Sequence, residues 1–295
     1  MRALLDDLAH LLECAVTLDA ESRADARREA RLIACGVLDC APGELAVRID
    51  RPLPHTQADR IRRAASRRAR GEPLAYCVGT AAFRHLVLAV DSRVLIPRPE
   101  TEIVVEEALR VAGEPGGIAV DIGTGSGAIA LALAMEGRFD LVIATDISAD
   151  ALDVARGNAS ALPQGAAPVE FRAGADTVPL GELRARVIVS NPPYICYEEA
   201  DALPSSVRDW EPATALFAAD RGMARYDALF AGTPRNLEPH GWLVLEVDAR
   251  RAGETRDRAV QAGFMNVRIV QDLSGRDRVL LAQVSADHSI SSSPI

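Results

Sequence analysis

Apolar residues near the start of the chain recur at helical spacing. Leu4, Leu8, Leu11, Leu12 and Ala15 follow the i, i+4, i+7, i+8 pattern of one buried helix face. A second helix is predicted over 24–37, closing near Gly36. A third is predicted over 56–70, after the loop prolines Pro52 and Pro54 and before Gly71 and Pro73. The pattern changes at residue 73. Tyr76, Val78, Phe83, Leu86, Leu88 and Val90 sit among glycine, threonine and small residues, which predicts a short β-hairpin within 73–96. The stretch Pro97-Arg98-Pro99-Glu100-Thr101-Glu102 then opens a helix to about Ala112. Its prolines and acids suit the exposed amides and the dipole of a helix start.

From residue 117 onward, strand and helix patterns alternate. Strands are predicted at 118–122, 141–145, 168–172, 186–190, 241–247, 266–271 and 278–284, and helices at 127–136, 149–160, 224–237 and 251–262. Alternation of this kind implies an α/β fold with a mostly parallel sheet covered by helices on both faces. Only Leu273 to Asp277 join the last two strands, too few residues for a parallel crossover, so these two should pair antiparallel. The expected organisation is a helical domain over 1–72, a hairpin linker over 73–96 and a Rossmann-like domain with a seven-stranded sheet over 97–285. A Ser-rich tail over 286–295 is expected to be disordered.

Charge divides the chain in the same way. Of 33 basic and 42 acidic residues, 13 and 12 lie in residues 1–72, leaving 20 and 30 for the rest. An acidic body holds nucleic acid poorly by bulk attraction, so direct DNA binding is not expected. Arg60, Arg63, Arg67 and Arg70 share one stripe of the third helix, and Arg62 and Arg68 enrich the same segment. Such a stripe reads either as a solvated face or as a docking surface. No run of 18 apolar residues is present and the N-terminus lacks a signal-peptide core, so a cytoplasmic protein without a membrane span is expected. The five cysteines form no Cys-x-x-Cys and the histidines are scattered, so no metal site is expected. Lysine is absent, which excludes Schiff-base chemistry and a phosphate-loop lysine.

Two motifs carry chemistry. The first strand runs into Asp121-Ile122-Gly123-Thr124-Gly125-Ser126-Gly127, followed by an Ala-rich helix. The glycines permit a tight turn and the close approach of a ligand to a helix N-terminus. A second strand ends at Asp146, 19 residues after Gly127, where a carboxylate can accept both hydroxyls of a ribose. Gly123, Gly125 and Ala128 also satisfy a dinucleotide fingerprint, so an NAD-dependent oxidoreductase competes. A carboxylate at Asp121 opposes a pyrophosphate and suits a cationic ligand, which favours S-adenosylmethionine.

The second motif, Asn191-Pro192-Pro193-Tyr194, follows the strand Val187-Ile188-Val189-Ser190. Its prolines fix two φ angles and remove two backbone donors. The Asn191 side-chain oxygen and the Pro192 carbonyl can then accept both N–H bonds of a conjugated amino group, while Tyr194 offers a flat face to a planar amide or base. The bland reading of the tetrapeptide alone is a rigid turn. After a glycine loop and a ribose acid, methyl transfer to nitrogen is the better reading.

These motifs resemble the HemK-type protein-glutamine methyltransferases. The likeness spans nearly the whole chain. It includes Gly71-Glu72-Pro73-Leu74, Leu95 to Glu102, Asp121 to Gly127, Asp146, Val189 to Tyr194, Glu211-Pro212, Leu243-Val244-Leu245-Glu246 and Gly275-Arg276-Asp277-Arg278. It implies a class I methyltransferase domain and transfer from S-adenosylmethionine to the glutamine side chain in the Gly-Gly-Gln motif of bacterial release factors. Asp121 to Gly127, Asp146 and Asp176 would form the cofactor site with Asn191, and Asn191 to Tyr194 would hold the glutamine. The family usually places an acid then an aromatic after the third strand, whereas this chain has Ala175 then Asp176. Residues 1–72 would recognise the release factor, and the arginine helix could also touch ribosomal RNA. The same catalytic loop serves enzymes acting on ribosomal-protein glutamine or nucleic-acid adenine, which remain as alternatives.

Overall fold

The computed structural model describes residues 1–286. The expected tail therefore lies, Ala286 apart, outside the described residues. The chain forms two compact units. One comprises Met1–Ala81, Val90–Ser92 and Ala202–Glu211, and the other comprises Ala82–Ala89, Arg93–Asp201 and residues from Pro212 onward.

The first unit is helical: α1 (Arg2–Glu13), α2 (Ala20–Ala24), α3 (Ala26–Leu38), α4 (Pro42–Arg48), α5 (His55–Ala69) and α6 (Leu74–Val78). Leu8 and Leu12 of α1, Ile33 of α3, and Ile61 and Ala65 of α5 meet in its core. Leu5 is buried in place of Leu11, which stays 40% exposed. The arginine stripe of α5 is divided. Arg68 points inward at 5% exposure and clamps Glu29, with Nε–Oε2 2.7 Å and Nη2–Oε1 2.9 Å. Arg67 pairs with Glu72 and Arg62 with Asp59, whereas the exposed Arg60, Arg63 and Arg70 have no such pair among the described residues. The residues 74–78 expected to begin a hairpin are helical instead. Pro73 precedes their first turn and Gly79, at φ +86°, ends it in the left-handed conformation that stops helices. The hairpin is shorter, β1 (Thr80–Phe83) and β2 (Leu86–Ala89). The segment Ala202–Glu211, far along the chain, belongs to this unit, and Trp210 Nε1 lies near Gly71 there.

In the second unit, a 3₁₀ turn (Pro99–Thr101) leads into α7 (Glu102–Ala112). There follow β3 (Ile118–Ile122), α8 (Ala128–Glu136), β4 (Leu141–Asp146), α9 (Ala149–Ala159), β5 (Val169–Ala173) and β6 (Ala185–Ser190). The remaining principal elements are α10 (Ala224–Gly232), β7 (Leu237–Glu246), α11 (Ala252–Gln261), β8 (Met265–Gln271) and β9 (Asp277–Gln283). The sheet order is β5-β4-β3-β6-β7-β9-β8. The first five strands are parallel, and β9 runs antiparallel to both β7 and β8. This is the α/β sheet with a C-terminal antiparallel hairpin that the sequence pattern implies.

Alternation along the strands builds two cores. Ala119, Val187 and Val189 face one layer, with the helices α7 and α8, and Val120 and Ile188 face the other, with Tyr226 and Phe230 of α10. The expected helix 224–237 stops at Gly232. Pro234 lacks the N–H that a continuing helix needs, and Leu237 already pairs with Ala185 in the sheet.

Candidate active site

β3 lies between β4 and β6, so the chain crosses to opposite sides of the sheet after it. A crevice is expected outside the carboxyl ends of strands at such a reversal. There the structure opens a cleft that holds roughly 850 Å³ of space between its walls, open solvent included. Gly123, Gly125, Asp146, Asp176, Asn191, Pro192 and Pro193 all lie on its wall. They come from the ends of β3, β4, β5 and β6, and chain folding brings them together across 70 residues of sequence.

The glycine loop and Asp146 are joined. Gly125 N donates to Asp146 Oδ2 at 2.9 Å and Ser148 N donates to Oδ1 at 2.9 Å. A carboxylate has about four lone-pair positions, so two remain for a ribose diol. Gly123 and Gly125 have φ +76° and +55°, and no atom lies within 4 Å of where a Cβ would stand. The backbone there is bare toward the cleft. These features fit S-adenosylmethionine. Asp176 sits on the wall with both oxygens 3.4 Å from Arg225 Nη1.

The Asn-Pro-Pro-Tyr loop is held from several sides. Ser190 Oγ donates to the Ile122 carbonyl at 2.6 Å, fastening the end of β6 to β3. Ile195 pairs with Phe217 beyond the loop. Gly222 has φ +87°, and a Cβ there would stand 2.1 Å from the Tyr194 carbonyl oxygen, so only glycine lets the two backbones approach. Asn191 donates from Nδ2 to Thr101 Oγ1 at 3.2 Å.

Five residues expected at the site do not line the cleft. Asp121 is fully buried behind the loop, where Oδ2 accepts from Thr124 Oγ1 at 2.6 Å and from Ala130 N at 3.0 Å. Its Oδ1 is buried without a partner among the described residues. Burial raises its pKa to about 7, despite those two hydrogen bonds. Asp121 thus braces the loop rather than presenting charge to a ligand. Thr124 is turned onto Asp121, and Ser126 is buried with its carbonyl held by Asn158 Nδ2 at 2.8 Å. Gly127 caps the start of α8 at φ +86°, where an added Cβ would stand 3.1 Å from Leu131 Cδ1. Tyr194 packs against the second core and donates its hydroxyl to Glu246 Oε1 at 3.1 Å. Burial pushes its pKa up, so it stays a phenol.

Residue-level reading did not single out Arg225 and Ile147, which line the cleft, or Thr101 and Glu246, which bond to Asn191 and Tyr194. Glu246 was visible only as an acid ending an apolar strand, and Ile147 only as the neighbour of Asp146. Ile147 lines the cleft and is 61% exposed, so its apolar side chain is accessible there.

Comparison with known proteins decides the family. The PrmC N-terminal domain family matches residues 10–79 and the methyltransferase small domain family matches 101–203. A release factor glutamine methyltransferase of Xylella fastidiosa is 40% identical over 258 residues, covering 87% of this chain and 93% of that protein. One from Cereibacter sphaeroides is 37% identical over 262 residues, covering 89% and 92%. This chain belongs to the release factor glutamine methyltransferases. Its methyl donor as a member of that family is S-adenosylmethionine, which removes the NAD-dependent oxidoreductase from contention. A methyltransferase from Pyrococcus furiosus shares the fold at 18% identity and TM-score 0.52, covering 78% of this chain and 98% of that one. No helix among the described residues is long and apolar enough to cross a membrane.

Proposed function

We propose that this release factor glutamine methyltransferase methylates the side-chain amide nitrogen of the glutamine in the Gly-Gly-Gln motif of release factors, with Asn191 and Pro192 holding that amide. The observation that carries this reading is the Asn191 side chain, on the cleft wall beside Pro192, with its own nitrogen spent on Thr101. Asn191 Oδ1 and the Pro192 carbonyl are then two acceptors at one place, and a primary amide brings two N–H donors.

An amide nitrogen is a poor nucleophile because its lone pair is delocalised into the carbonyl. Two acceptors that fix both N–H bonds orient the nitrogen and favour localisation of that pair toward an incoming methyl group. Bound S-adenosylmethionine supplies that methyl group, activated by its sulfonium. Asp146 is suited to its ribose hydroxyls and the bare glycine backbone to its close approach. No strong base is needed first, since the nitrogen can shed a proton once methylated. Tyr194 acts here by anchoring the loop through Glu246, not by stacking on the substrate.

Residues 1–72 are assigned to recognition of the release factor, in the cytoplasm where termination occurs. The exposed Arg60, Arg63 and Arg70 are its candidate contacts, with ribosomal RNA as a secondary one. The test is incubation with isotopically labelled methyl donor and purified release factor, followed by mass spectrometric localisation of the label. Label on the Gly-Gly-Gln glutamine supports the reading. Label on another residue, or only on adenine of added nucleic acid, overturns it.

A further inference from the structure

Thr101, in Pro97 to Glu102, and Glu246, at the end of β7, both touch the Asn-Pro-Pro-Tyr loop from behind the cleft wall. They lie 145 residues apart in sequence and meet at the Asn-Pro-Pro-Tyr loop. Thr101 Oγ1 donates to Glu246 Oε2 at 2.5 Å, Tyr194 donates to Glu246 Oε1 at 3.1 Å, and Asn191 Nδ2 reaches Thr101 Oγ1 at 3.2 Å. Thr101 is 4% exposed and Glu246 1% exposed, so neither group has bulk water as an alternative partner.

The direction of these bonds follows from how many protons each group owns. Burial raises the pKa of Glu246, yet both its oxygens act as acceptors here, Oε2 from Thr101 Oγ1 and Oε1 from the Tyr194 hydroxyl. A threonine hydroxyl has a single proton, and here Glu246 takes it. Thr101 Oγ1 therefore shows only lone pairs to Asn191, and only the NH₂ end of the Asn191 amide can meet them. The carbonyl end is turned away from Thr101. Were the threonine proton free to point at Asn191, the amide could sit either way round, because its two ends have nearly the same shape.

We propose that Thr101 and Glu246 are positioning residues that fix which end of the Asn191 amide faces the substrate, and so select an amide N–H over a carboxylate as the group bound there. This rests on the role given above to Asn191. With Oδ1 outward the site accepts hydrogen bonds, as glutamine requires and glutamate at neutral pH cannot supply. With Nδ2 outward it would donate, and the preference would invert. Glu246 also ties the far end of the loop through Tyr194, so one buried carboxylate sets the loop at both ends.

The test compares the parent with Thr101→Val, Thr101→Ser and Asn191→Ala. Each is measured for turnover and KM on release factor, for S-adenosylhomocysteine affinity, and for inhibition by a release factor whose target glutamine is replaced by glutamate. Thr101→Val should lose ~10–100-fold in kcat, somewhat less than loss of a direct donor to a reacting group. It should keep its S-adenosylhomocysteine affinity and bind the glutamate factor about tenfold better relative to the glutamine factor, a shift of one hydrogen bond's order. Thr101→Ser keeps the hydroxyl and should restore both. If Thr101→Val proves unfolded, Thr101→Ala takes its place, with cofactor-product binding as the check on folding. A Thr101→Val enzyme with parent turnover and parent selectivity overturns the proposal. So does a loss that serine fails to restore with selectivity unchanged, since that is a packing effect. If Asn191→Ala also works at the parent rate, the role of Asn191 itself has failed. If Asn191→Ala is impaired while Thr101→Val is not, only the positioning relay has failed.

Discussion

Gly125 gives its backbone N–H to Asp146 Oδ2 at 2.9 Å, across 21 residues of chain. The glycine turn and Asp146, the proposed ribose acceptor, are thus one hydrogen-bonded unit. Replacing Asp146 removes the proposed acceptor for the ribose and also leaves the Gly125 and Ser148 N–H groups without this partner. Asp146→Ala is expected to weaken S-adenosylhomocysteine binding by about 1.5–3 kcal/mol, the scale of a charge-assisted hydrogen bond. Calorimetric titration of the variant measures this directly, and an unchanged Kd would contradict the assignment.

Asp121 gives the protein a pH dependence. Its pKa is raised from an ordinary 3.8 to about 7 by burial. Between those values the native state holds a proton that the unfolded chain has lost. The contribution of Asp121 is therefore fully present below about pH 4 and is lost as pH rises to about 7, with a slope of up to ~1.4 kcal/mol per pH unit. Asp121→Asn cannot titrate. Urea unfolding across this range should show the difference between parent and variant changing with pH in that direction and levelling off above about pH 7.

Much of the fold was legible because hydrophobic periodicity reports burial directly. The seven strands and the antiparallel last pair follow from apolar runs and one short connection. What was misread depended on single residues. The segment Leu74–Val78 is helical because Pro73 can start a turn and Gly79 can end it, although its apolar spacing also suits a strand. The burial of Arg68 was not legible, because the residue that turns it inward, Glu29, lies 39 residues away. At the site, the glycine loop, Asp146 and the Asn-Pro-Pro-Tyr motif were readable as local patterns. The Thr101–Glu246 contact was not, since nothing local marks two polar residues 145 positions apart as partners.

The divided stripe makes a contrast between buried and exposed arginines. Arg68→Met leaves Glu29 buried without its cation and should cost roughly 3–5 kcal/mol in unfolding free energy. Replacing Arg60, Arg63 and Arg70 by glutamine should change stability by only about 0.5 kcal/mol each, as exposed positions do. The triple variant should nonetheless methylate intact release factor more slowly at low substrate, with a weaker dependence on salt. Equal rates at low ionic strength would remove these arginines from substrate recognition.

Gly222 tests the placement of the catalytic loop from outside it. A Cβ at this position would meet the Tyr194 carbonyl at 2.1 Å. Gly222→Ala must move one backbone or the other, and a displacement of about 1 Å at a reacting group can cost ~10²-fold in rate. Turnover should fall by one to two orders of magnitude, on that scale, while S-adenosylhomocysteine still binds. Full activity in Gly222→Ala would show that loop position tolerates more than the close contact implies.

Asn191 is where the account stands or falls, because it lies on the cleft wall, bonds to Thr101 and is the proposed acceptor for the substrate amide. The decisive measurement is the single-turnover rate of methyl transfer to release factor by Asn191→Ala, taken with donor bound and with the protein shown to be folded by its unfolding transition. The account predicts a fall of ~10²–10³, the usual effect of removing one preorganised polar contact at a reacting centre, with S-adenosylmethionine affinity near that of the parent. A folded Asn191→Ala enzyme that methylates the glutamine at the parent rate would contradict it.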